Sequence, residues 1–152
     1  MRYGYFEQFG EDIARVYKLV ELALYWVYSL TANIIKGIVR SPARILEIGP
    51  GTGALANRLS KLGYYVVGVD VSMAMLRRAQ GRFWRPDFVN GSSWALPIGY
   101  RRFDAAVAVF TLHHWGDHDL SMSNVVKSLR PNASFIVVEV EQQGLWGLPE
   151  LG

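Results

Sequence analysis

The chain has 152 residues, enough for one domain. At 51% hydrophobic against 19% charged, with 13% aromatic, it is excluded from the disordered class. The absence of cysteine excludes disulfides, thiolate metal sites and cysteine nucleophiles, and suits a cytoplasmic setting. The net charge is +3, and the basic residues gather as Arg77, Arg78, Arg82 and Arg85 and the pair Arg101–Arg102. That is too dilute for a basic arm, so no specific nucleic-acid partner is expected.

Residues 1–40 are rich in aromatics and lack proline. Leu19, Leu22, Ala23, Trp26, Leu30 and Ile34 recur at helical spacing, which predicts one or two helices packed on the domain as a cap or lid. Tyr3, Tyr5 and Tyr17 are candidate lid contacts, with aromatic core packing as the alternative. Between Glu21 and Lys36 lie 14 uncharged residues, short of the roughly 20 needed to span a bilayer. The same stretch also suits an interfacial helix touching lipid or a greasy substrate. It starts too late, and after too many acids, for a signal peptide.

After Ser41-Pro42 the pattern changes. The segments at 43–48, 64–69, 87–90, 103–110 and 134–140 read as buried strands, rich in Val, Ile and aromatics. Between them, 53–62, 72–82 and 117–130 have helical periodicity. This alternation predicts right-handed βαβ units, a parallel sheet covered on both faces, and thus an α/β class.

The first strand runs into Glu47-Ile48-Gly49-Pro50-Gly51-Thr52-Gly53 and then directly into a helix. Glycines at alternate positions of a strand-to-helix turn let the backbone bend sharply and meet a ligand closely at the helix N-terminus. The second strand ends at Asp70, where doubly wound folds place an acid that accepts hydrogen bonds from both hydroxyls of a ribose. A P-loop is excluded because no Gly-Lys-Ser/Thr follows the glycines. The G-x-G-x-G spacing also departs from the G-x-G-x-x-G of dinucleotide sites, although an NAD-dependent oxidoreductase shares the turn and the acid.

ILEIGPGTG, GVDVS, the ALP of SSWALP, FDAAVAVFTLHHW and LRPNASFIVVE follow in order over residues 43–140. Together they resemble a class I S-adenosylmethionine-dependent methyltransferase of the type 11 domain. The resemblance implies a doubly wound, Rossmann-like sheet of order 3-2-1-4-5 in a single domain. In it, 1–40 form a helical cap, 41–140 the cofactor-binding core and 141–152 a short tail. It further implies that Glu47, Gly49, Gly51 and Gly53 cradle the methionyl part of S-adenosylmethionine. Asp70 would hold the ribose, Val71 would lie against the adenine, and Phe110 would border the methyl group. Where the family has Gly-Asp-Ala this chain has Gly91-Ser92-Ser93, so Ser92 and Ser93 replace a carboxylate at the adenine. His113 and His114 occupy the family's paired-histidine position and are the candidate catalytic residues, with packing or helix capping as their other role. They also stand near Asp117 and His118, a compact set that could hold a metal, although no metal is expected.

At Pro131-Asn132-Ala133 the family prefers Pro-Gly-Gly, and Asn132 is expected to take a left-handed backbone in place of one glycine. The tail is too short for the usual C-terminal antiparallel strand pair. Leu145, Trp146 and Leu148 are expected to cover part of the gap, and a homo-oligomer through the uncovered sheet edge is expected. The implied activity is S-adenosylmethionine-dependent methyl transfer to a small-molecule or lipid-like acceptor. A non-catalytic S-adenosylmethionine-binding or assembly module is the alternative, and an oxidoreductase a second one. A membrane-surface partner is a lesser expectation.

Overall fold

The computed structural model describes residues 11–82 and 85–139. Two consecutive helices, α1 (Glu11–Ala23) and α2 (Tyr25–Ile38), precede an alternating series. That series comprises β1 (Arg44–Ile48), α3 (Ala54–Lys61), β2 (Tyr65–Asp70), α4 (Met73–Arg82), β3 (Asp87–Asn90), β4 (Phe103–Val109), α5 (His118–Ser128) and β5 (Leu129–Val138). The five strands form one sheet of order β3-β2-β1-β4-β5 with every neighbouring pair parallel.

Burial on both faces explains why the strands read as continuous apolar runs. Ile45, Val66, Ala105 and Val107 face the layer of α2, α3 and α4 and meet Leu55, Leu59, Leu76 and Ala79 there. Their neighbours Leu46, Val67, Ala106 and Ala108 point the other way, into a second core with Trp115, Val125 and Phe135. The alternation of side chains along each strand thus divides one sheet between two cores. The alanines of β4, the central partner of β1 and β5, are all buried.

The helices and strands fall close to their predicted positions, with two differences. β5 begins at Leu129, five residues before the predicted Ser134, because Leu129 already pairs with Phe103. Between Phe103 and Ala105 its register jumps from Leu129 to Ser134, so Pro131–Ala133 form an irregularity inside the strand rather than a loop before it. Asn132 sits there at φ +64°, the left-handed conformation its short amide side chain tolerates.

The second difference concerns the cap. α2 buries Val27, Tyr28, Thr31, Ala32 and Ile35. The stripe Leu19, Leu22, Ala23, Trp26, Leu30 and Ile34, expected to pack on the domain, faces outward instead. Helical spacing identifies a stripe, but the sheet chose the neighbouring row. No described helix is long and apolar enough to cross a membrane. β3 and β5 are the outer strands, and among the described residues no antiparallel strand lies beside β5. Tyr3, Tyr5, Leu145, Trp146 and Leu148, together with the side chain of Tyr17, lie outside the described residues.

Candidate active site at the carboxyl ends of the strands

The carboxyl ends of β1, β2 and β4 and the segments that follow them enclose an open cleft. Its floor is the glycine turn. Gly49, Gly51 and Gly53 all have positive φ, at +71°, +57° and +87°, which side chains with a Cβ rarely adopt. At Gly49 the space is closed as well, since a Cβ there would lie 2.4 Å from Thr111 Cγ2. The Gly49 N–H donates to Val69 O at 2.8 Å and ties the turn to β2. Gly53 caps α3, its carbonyl accepting from Asn57 N–H at 2.9 Å.

Asp70, at the end of β2, projects into this cleft. Its Oδ2 accepts from Gly51 N–H at 3.2 Å and its Oδ1 from Ser72 N–H at 2.9 Å. Burial pushes its carboxyl up to about 6, and the backbone N–H groups of Ser72, Gly51 and Val71 hold it from rising further. These backbone donors leave part of the carboxylate's acceptor capacity unused. A cleft that presents a desolvated carboxylate with spare acceptor capacity suits a pair of hydroxyl donors. The Asp70–Val71 backbone is itself fixed by Asn90 at the end of β3, whose amide donates to Asp70 O and Val71 O at 3.1 and 3.2 Å.

Gly49, Gly51, Asp70, Val71, Ser93, Phe110 and His114 line the cleft. Glu47 is buried in β1 beneath the turn, and Gly53 lies at the helix cap; neither lines the cleft wall. Ser92 does not reach the cleft either. Its carbonyl accepts from Ala95 N–H at 3.2 Å in a tight turn, which leaves Ser93 and Trp94 facing inward. Ser93 Oγ is 2.8 Å from Ser121 Oγ of α5, a buried pair that anchors this segment.

Phe110 follows β4 with φ +55°, an outlier for a bulky residue, and its N–H donates to Val138 O at 2.8 Å. That kink turns the chain into a short 3₁₀ turn, Leu112–His114, at the cleft mouth. The two histidine rings lie 3.9 Å apart, but only His114 lines the cleft, while His113 is exposed. Asp117 is engaged as the cap of α5, accepting from Leu120 N–H at 2.9 Å. Among the described residues no three His, Asp or Glu side chains come together as metal ligands.

Met75, Trp94, Thr111 and Trp115 also line the wall, with Ile48, Val69 and Gly91. Trp115 is buried, and its indole N–H has no acceptor among the described residues. Met75 and Trp115 sit in segments that read simply as helix or apolar run, so burial alone gives no sign that they face a ligand.

A family model described as a methyltransferase domain matches residues 46–137, which carry all five strands but the first two residues of β1 and the last of β5. The chain belongs to this methyltransferase family. The demethylmenaquinone methyltransferase of Thermus thermophilus is 29% identical over 92% of this chain and 61% of its own length. That of Corynebacterium kroppenstedtii is 32% identical over 63% of this chain and 41% of its own length. The chain therefore spans less than two thirds of either relative. Among solved structures, a candidate S-adenosyl-L-methionine-dependent methyltransferase from Methanococcus maripaludis shares the fold. Its TM-score is 0.78 at 22% identity, covering 88% of this chain and 65% of that one.

Proposed function

We propose that this chain is a cytoplasmic S-adenosylmethionine-dependent methyltransferase acting on a lipid-like acceptor of the quinone class. The carrying observation is the cleft at the carboxyl ends of β1 and β2, where a glycine turn faces the desolvated Asp70 carboxylate. These residues fit the cofactor. The backbone of Gly49 and Gly51, which lines the cleft, would hold its amino-acid portion. Asp70 offers its remaining acceptor capacity to the ribose hydroxyls, and Val71, Met75 and Trp94 offer apolar surface for the adenine. Bound there, S-adenosylmethionine supplies a methyl group already activated on a sulfonium. What remains for the protein is alignment and the exclusion of water. Phe110 and Trp115 wall the cleft near its mouth, and His114 is the side chain there able to accept a proton from an acceptor that must lose one.

The acceptor class is supported by the names of the Thermus and Corynebacterium relatives and by the apolar character of the wall residues. The test is turnover. Full chain incubated with S-adenosylmethionine and a demethylated menaquinone analogue reduced to its quinol is expected to release S-adenosylhomocysteine, the ring carbon exchanging a proton for the methyl group. Binding of S-adenosylmethionine without release across quinone and phenolic-lipid acceptors would leave a binding module. Thermal stabilisation by NAD but not by S-adenosylmethionine would overturn the cofactor assignment.

A further inference from the structure

Helix α2 carries three adjacent rows of side chains at four-residue spacing, and each row meets different surroundings. Val27, Thr31 and Ile35 are buried in the domain. Tyr25, Ser29 and Asn33 line an open groove between α2 and α3, shared with Lys18 of α1 and Arg58 and Lys61 of α3. The row between these two, Trp26, Leu30 and Ile34, points outward and is 63%, 53% and 41% exposed. It is continued by exposed Leu22 on α1 and Ile38 at the end of α2. No charged residue occurs anywhere between Glu21 and Lys36. A continuous apolar row of this length is uncommon on a monomer's free surface and marks a contact site.

The groove beside the row decides what that contact is. Its cations are Lys18, Arg58 and Lys61, and no described acid lines it. The Arg58 guanidinium lies over the Tyr25 ring, 4.5 Å from its centre, so that it is held at the edge of the apolar row. Trp26 and Tyr25 are the residue types that settle at the boundary between acyl chains and headgroups. At 14 residues α2 is about 21 Å long at 1.5 Å per residue, too short to cross a bilayer and suited to lying on one. A second copy seated on the same row would bring a second set of these cations to the contact, with no described acid in row or groove to receive them.

We propose that this face docks on an anionic phospholipid surface, with the Trp26–Leu30–Ile34 row entering the headgroup boundary and Lys18, Arg58 and Lys61 pairing with lipid phosphates. Docking needs no turnover and no cofactor, so it stands or falls separately from methyl transfer.

The test is flotation of the full chain with phosphatidylcholine vesicles, with and without one-third phosphatidylglycerol, at low and high salt. The expected result is binding to the anionic vesicles that weakens as salt rises. W26S/L30S/I34S is expected to lose roughly tenfold or more of that binding, with its circular dichroism unchanged. R58Q/K61Q is expected to lose the preference for anionic over neutral vesicles. Failure of the wild-type chain to float with anionic vesicles would overturn docking, as would a folded triple variant that floats like wild type. A dimer in sedimentation velocity that the triple variant converts to monomer, without flotation of the wild type, would assign the row to a second copy and equally overturn it.

Discussion

The cleft and the outer face of α2 are built by opposite means. The cleft is shaped by backbone: a turn of three positive-φ glycines, amide donors on Asp70, and a kink at Phe110 set where its lining side chains stand. At Gly49 the tolerance for added atoms is nearly nil, as the 2.4 Å approach of a Cβ there to Thr111 makes plain. The α2 face is made of side chains alone, on a helix whose backbone would look the same with any residues there. A backbone-built site therefore fails by unfolding or misfitting, whereas a side-chain face fails by losing its contact while the fold persists.

The largest expected effect lies in the cleft. Gly49→Ala combines a left-handed Cβ penalty with overpacking and should cost about 4 kcal/mol, a fall in Tm of roughly 12 °C. Adding Thr111→Ser, which removes the clashing methyl but leaves Cβ 3.0 Å away, should recover some of the packing part and none of the backbone part. Full recovery would show that φ at this turn matters less than space.

The two rows of α2 give the next contrast. Ile35→Ala, at a fully buried position, should cost roughly 3 kcal/mol in urea unfolding. Ile34→Ala, one residue before it, should stay within about 0.5 kcal/mol. Equal costs would mean that the outer row is covered within the chain.

Asp70 ties stability to pH. Its carboxyl stands at about 6 in the folded protein, against an ordinary value near 4 in the unfolded chain. Between those values the folded state holds a proton that the unfolded state has released, so the stability of the ligand-free protein should fall as pH rises from about 4 to about 6. Asp70→Asn should abolish that slope and gain roughly 2 kcal/mol at neutral pH relative to its effect at pH 4. The same substitution should weaken S-adenosylmethionine binding roughly tenfold or more by calorimetry. In the wild type, affinity should decline as pH falls below about 6, because the protonated carboxyl accepts hydroxyl donors less well. The smallest effect is expected at His113. Its replacement by Ala should leave unfolding free energy within about 0.5 kcal/mol of wild type, while His114→Ala, inside the cleft, should be the one that alters turnover.

The same contrast explains what could be read from residues alone. Strand and helix positions followed from apolar runs and periodicity, and the glycine turn and Asp70 from their spacing at strand ends. Those signals are local, because a tight turn demands glycine wherever it occurs. Which row of α2 would be buried was not local. Rows 26/30/34 and 27/31/35 are both apolar enough to pack, and the contact with α3 and β5 selected the second. Ser92 and Ser93 posed a similar choice, settled by the turn closing between Ser92 and Ala95. Trp115 escaped notice because its burial serves the core and the cleft at once. The early start of β5 was hidden by Pro131-Asn132-Ala133, which reads as a loop although the strand runs through it.

The hydrogen bond from Gly51 to Asp70 joins the turn after β1 to the end of β2, two strands paired from Arg44–Tyr65 to Ile48–Val69. The Gly51 amide is therefore a resident probe of occupancy. Its hydrogen exchange reports the local opening of β1 from β2, and any molecule that grips both sides must slow it. Ligand affinity and the opening free energy of these two strands are then one linked quantity, readable at a single proton without a catalytic assay.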